Sequence, residues 1–113
     1  MTSILKNNAH AEMFTRLQET SKKILPQNAH VYLFGSRARN NAQENSDWDM
    51  LLLLEKPKRE FSNDFDCYAW PLVEIGLEYG QVLNFSIHTM TDWEKGKWHP
   101  FYKNVMNERI KIA

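Results

Sequence analysis

Leu33-Phe34-Gly35-Ser36-Arg37-Ala38-Arg39 leads, with ten residues between Ser36 and Asp47, into Ser46-Asp47-Trp48-Asp49-Met50-Leu51. The first segment closes a β-prone run, His30 to Phe34, on a glycine. A glycine there permits a sharp turn and lets a ligand approach the backbone closely. Ser36 is the expected N-cap of one or two helical turns over 36–42, and unpaired N–H groups at such a start favour phosphate. Its hydroxyl adds a further donor, and the guanidinium groups of Arg37 and Arg39 suit phosphate oxygens. In the second segment the period of two along a strand sends Asp47 and Asp49 to one face, roughly 6.5–7 Å apart. Trp48 and Met50 take the other face, toward a core. Two carboxylates ahead of Met50 and four leucines are costly unless neutralised, and Mg²⁺ takes oxygen ligands of this kind. Each element has a plain reading as well: Asn45-Ser46-Asp47 is turn chemistry, Gly-Ser an ordinary turn, and two arginines a solvated face. Their joint occurrence at this spacing is what points to a site.

Working outward, Met13, Phe14, Leu17, Ile24 and Leu25 recur at helical spacing, which predicts an amphipathic helix over 8–25 ended by Pro26. Asp47 to Glu55 reads as a buried strand. Residues 63–79 read as helical with a kink or break at Pro71, closed by Gly80. Gln81 to Thr89 reads as a third strand. Thr91 is the expected N-cap of the following helix, with Glu94 completing a capping box, and Phe101 to Glu108 a last helical turn or two. The expected architecture is α+β, a small mixed β-sheet flanked by helices in the order helix-strand-helix-strand-helix-strand-helix, with 1–113 as one domain.

Composition narrows the partners. Fourteen basic and fourteen acidic side chains cancel, so no broad field draws the chain to nucleic acid or a membrane surface. The late aromatics Trp93, Trp98, Phe101 and Tyr102 have no basic stripe between them and default to packing, with a partner surface as the other reading. Cys67 is the one cysteine and cannot form an internal disulfide, which suits a reducing cytoplasm. The N-terminal stretch has no long apolar run, so neither a signal peptide nor an anchor is expected. His10, His30, His88 and His99 lack zinc-ligand spacing. His88 shares a strand face with Asn84 and defaults to a histidine at the strand end.

On these two segments the chain resembles the DNA polymerase β-like nucleotidyltransferase superfamily, and within it the small, stand-alone minimal nucleotidyltransferases. The resemblance spans about residues 10–95, including the element order. It implies that Gly35 and Ser36 hold a nucleotide's phosphates, with Arg37 and Arg39 alongside. It implies that Asp47 and Asp49 are the catalytic carboxylates and bind Mg²⁺. The implied reaction moves a nucleoside monophosphate, AMP from ATP in the first instance, onto a hydroxyl of a protein or small molecule. It further implies an antitoxin role with a helical HEPN-type partner, and leaves oligomerisation open.

One position departs from the family pattern. Active members carry a third carboxylate on the next core strand, and here it falls on Asn84, or on Ser86 in another register. Asn84 offers a neutral oxygen but cannot act as a base at neutral pH. The expectation is therefore an enzyme with an incomplete carboxylate triad, holding one metal that rides on the nucleotide. The alternative is a catalytically degenerate nucleotide- or partner-binding module. Asp64, Asp66, Glu74 and Glu78 are substitutes if the helix before the third strand lies over the site, and a partner chain is another source.

Overall fold

The computed structural model describes residues 8–113. Residues 1–7, on which part of the signal-peptide reading rests, lie outside them. The order is α1 (Asn8–Ile24), β1 (His30–Phe34), α2 (Gly35–Arg39), β2 (Trp48–Leu54), α3 (Phe61–Asp64), a π-helical turn (Phe65–Ala69), α4 (Trp70–Glu78), β3 (Leu83–Thr89), α5 (Met90–Lys95), α6 (Pro100–Glu108) and β4 (Ile110–Lys111). The strands form one mixed sheet in the order β3-β2-β1-β4. β1 runs antiparallel to β2 and to β4, and β2 runs parallel to β3. The parallel pair needs a crossover, which α3, the π turn and α4 supply.

β2 is central and covered on both faces, which is why it reads as a continuous apolar run rather than an alternating one. Its alternate side chains nevertheless divide two cores. Trp48, Met50, Leu52 and Leu54 pack with Met13, Phe14 and Leu17 of α1 and with Leu72 and Ile75 of α4. Leu51 and Leu53 point the other way and pack with Trp93 of α5 and Val105 of α6. Asp47 and Asp49 share the parity of Leu51, so α6, not α4, overlies the acidic pair.

Several local expectations are corrected. Ser36 is not an N-cap: Phe34 occupies that position and no side chain caps α2. The helix instead ends early, on Asn40 in the left-handed region (φ 61°). The helix over 63–79 starts at Phe61 and is split by the π turn. Pro71 falls in the first turn of α4, where a missing N–H is tolerated. Thr89, not Thr91, caps α5, its hydroxyl accepting the Asp92 N–H at 3.1 Å. The strands are shorter than expected, β2 by one residue at each end and β3 by two at its start. β4 is an addition that the sequence pattern does not show. It extends the edge beside β1, and the Ile112 N–H donates to the Val31 carbonyl at 2.8 Å.

Candidate functional site

The site lies where β1 ends and β2 begins, because antiparallel pairing sets Phe34 opposite Asp49 and so brings Gly35 against the Asp49 side chain. Gly35 has φ +76°, in the left-handed region. A Cβ built there would collide with Asp49 Oδ2 and stand 3.2 Å from its Cγ. Glycine is thus required twice over, by backbone conformation and by close approach.

Parallel pairing places Asn84 opposite Asp49 and Ser86 opposite Leu51, so Asn84 is the residue beside the acidic pair. Its Nδ2 donates to Asp47 Oδ2 at 2.7 Å. Asp47 precedes the strand and is exposed, whereas Asp49 is half-buried. Burial pushes the Asp49 carboxyl above its ordinary value, the Asp47 charge adds to this, Arg39 opposes it, and Glu108 contributes in the same upward sense. An ionised Asp49 is therefore under electrostatic strain that a cation would relieve, which fits the expected donor set for Mg²⁺. Among the described residues no three His, Cys, Asp or Glu side chains converge as a metal cage.

The two arginines part company. Arg37 turns to the α1 side, stacks over the Trp48 ring at 4.4 Å and donates to the carbonyls of Ser46 (2.8 Å) and Glu44 (2.9 Å). It clamps the loop that delivers Asp47 rather than joining the acidic pair. Arg39 faces the site and pairs with Glu108 Oε2 at 2.9 Å. Residues two apart on a helix point to opposite sides, so the sequence already held the signal that only one of the pair could face a ligand.

Glu108 is the site residue that sequence reasoning does not find. Its Oε1 accepts the Gly35 N–H at 2.9 Å, and its side chain is 17% exposed. It lines a cavity of about 380 Å³ whose lining also includes Ser36, Arg39, Asp49 and Phe101. No local pattern announces it: its partner lies 73 residues earlier, and only the packing of α6 brings the two together.

The substitutes for a third carboxylate lie elsewhere. Asp64 is buried and held by Lys56 Nζ (2.7 Å), Arg59 Nε (3.1 Å) and the Glu60 N–H (2.7 Å). Glu78 pairs with Arg16 of α1. Asp66 and Glu74 sit in the π turn and in α4, whose core side packs on the face opposite the site. His88 stands opposite Leu53, roughly 13 Å along the sheet from Asn84. It packs against Trp93 with ring centroids 5.2 Å apart. Burial, then the Arg59 charge, holds its imidazole below the usual value against the opposing pull of Asp92.

A family model described as the nucleotidyltransferase domain matches residues 14–112. The chain belongs to the nucleotidyltransferase family. Two solved structures share the fold of this nucleotidyltransferase domain. One, a toxin–antitoxin crystal structure with AMP-PNP, has a TM-score of 0.54 at 14% identity, over 90% of this chain and 71% of that one. The other, a candidate nucleotidyltransferase from Sulfolobus solfataricus, has a TM-score of 0.51 at 18% identity, over 96% and 89%. No curated protein matches the chain. The α+β fold expected from sequence is thus the fold of a minimal nucleotidyltransferase. Among the described residues no helix is long and apolar enough to cross a membrane.

Proposed function

We propose that this nucleotidyltransferase domain binds Mg²⁺–NTP at Gly35, Ser36, Asp47 and Asp49 and transfers a nucleoside monophosphate, AMP from ATP, to an acceptor hydroxyl. The observation that carries the reading is the contact of the Gly35 backbone with the Asp49 carboxylate. It juxtaposes a phosphate-accepting turn and an acidic pair within one nucleotide's reach. Arg39 adds a guanidinium on the same side. Mg²⁺ on Asp47 and Asp49 would supply neutralisation of the phosphate charge. In the transfer, the acceptor oxygen bonds to the α-phosphorus as the bond to the bridging oxygen breaks, and pyrophosphate leaves. Asn84 donates its amide hydrogen to Asp47 and orients it, but cannot take the acceptor's proton. That proton passes to solvent, to Asp49 or to a group on the acceptor.

The toxin–antitoxin neighbour with AMP-PNP supports nucleotide binding and a protein partner. We extend this to an antitoxin role beside a helical HEPN-type partner in the cytoplasm. A second reading, a nucleotide- or partner-binding module without chemistry, is favoured by one observation: the third position is an amide already committed to Asp47.

Calorimetry with Mg²⁺–ATP and label transfer from ATP to the partner separate the two. Transfer that is lost in Asp47→Asn supports the enzyme, and binding without transfer supports the module. No heat at millimolar nucleotide would reject the enzyme and any nucleotide role of the module, leaving partner binding alone.

A further inference from the structure

The backbone N–H of Gly35 and the guanidinium of Arg39 both belong to the lining of the cavity beside Asp49, and both are engaged by one side chain, Glu108. Two carboxylate oxygens on one N–H and one guanidinium reproduce the way two oxygens of a phosphate are held. We propose that Glu108 is a built-in occupant of the phosphate subsite, a latch that the nucleotide's phosphate must displace before it can bind. The proposal rests on the nucleotide reading above and adds its regulation.

The surroundings of Glu108 show why the latch is poised to open. It is the last residue of α6, and a carboxylate at the negative end of a helix is disfavoured. Asp49 lies across the cavity and repels it. The hydrogen bond from Gly35 and the ion pair with Arg39 offset these two penalties. An incoming phosphate offers the same donors an acceptor free of the helix-end penalty, and a cation carried with it would relieve Asp49 as well.

The rest of α6 need not move for the carboxylate to leave. Val105 is buried, and Phe101 packs edge-on against Phe34 (5.8 Å between centroids) and Trp93 (6.0 Å). Rotation about the Glu108 side-chain bonds and fraying of the last turn are enough to open the subsite. The Arg39 pair then becomes available to the ligand.

The test compares wild type with Glu108→Ala and Glu108→Asp, using Mg²⁺–ATP and inorganic tripolyphosphate as probes in calorimetry. Aspartate keeps the charge but is one methylene too short to reach the Gly35 N–H. If Glu108 competes with phosphate, both variants bind each probe about tenfold tighter or more, the effect of losing a charge-assisted competitor. In the unliganded protein the Gly35 amide should also shift upfield and exchange faster in both variants, a readout that needs no nucleotide. Tightening in the alanine variant alone would mean that the removed charge is responsible, and would overturn the latch. Equal or weaker binding by both variants, with wild type still binding, would overturn the latch and leave the nucleotide reading intact. An unchanged Gly35 amide would overturn it as well. Absence of binding by all three proteins would reject the nucleotide reading and the latch together.

Discussion

Replacing Gly35 by alanine tests the geometry on which the site is built. Two costs add. At φ +76° an L-residue enters the left-handed region, at about 1–2 kcal/mol. The new methyl then collides with Asp49 Oδ2 and stands 3.2 and 3.3 Å from Asp49 Cγ and Cβ, which forces the carboxylate to rotate at a further cost of about 1–3 kcal/mol. The sum, about 3 kcal/mol, lowers Tm by roughly 12–18 °C for a chain of this size. Gly80 supplies the control: it has φ +71°, but a methyl there meets nothing within 4 Å. Gly80→Ala therefore bears only the conformational cost, about 1–2 kcal/mol. The unfolded-state effect of Gly→Ala is common to both and cancels in the comparison. Calorimetric melts of the two variants, repeated in an Asp49→Ala background, complete the cycle. In that background Gly35→Ala should fall to the cost of Gly80→Ala, a coupling of about 1–3 kcal/mol. Equal costs in the wild-type background, or no coupling to Asp49, would refute the close contact between turn and carboxylate.

Two further outcomes follow from other contacts. Burial alone would raise the Asp64 carboxyl, but hydrogen bonds from Lys56 and the Glu60 N–H, with the charges of Lys56 and Arg59, hold it below its ordinary value. A depressed folded pKa gives stability that is present above the unfolded value and lost as pH falls through the folded one. Asp64→Asn should thus cost about 3 kcal/mol or more, by a margin that stays level from pH 7 to about 4 and narrows only in stronger acid. Narrowing between pH 7 and 5 would count against it. Thr89→Ala should cost about 1–2 kcal/mol through its lost cap and buried methyl, whereas Thr91→Ala should stay within about 0.5 kcal/mol. The reverse order in chemical denaturation would restore Thr91 as the cap.

What was legible in the sequence rests on short-range rules. The strand period puts Asp47, Asp49, Leu51 and Leu53 on one side, and the buried cores confirm that Trp48, Met50, Leu52 and Leu54 take the other. The main helices and strands were readable because each carries its own apolar pattern and its own stop, such as Pro26 after α1 and Gly80 after α4. The cap of α5 was not legible: the sequence pattern points to Thr91, and only the course of the chain leaving β3 makes Thr89 the cap.

The rest waited on how distant pieces dock. β4 is two residues long with no alternation of its own, and it exists as a strand only because β1 offers it an edge. Asn84 owes its place beside Asp47 and Asp49 to a parallel register set by the whole crossover. Glu108 is further still from prediction. In sequence it is an acidic residue ending an amphipathic helix, which ordinarily means a solvated side chain. Folding carries it to the Gly35 N–H because α6 lies across the face of β2 that bears Asp49. Local periodicity and turn chemistry determine which residues can form a site, since they act within a few bonds. Which of them meet, and which distant carboxylate joins them, is decided by side-chain packing between elements, and that energy exists only once the sheet and its two helical layers have come together.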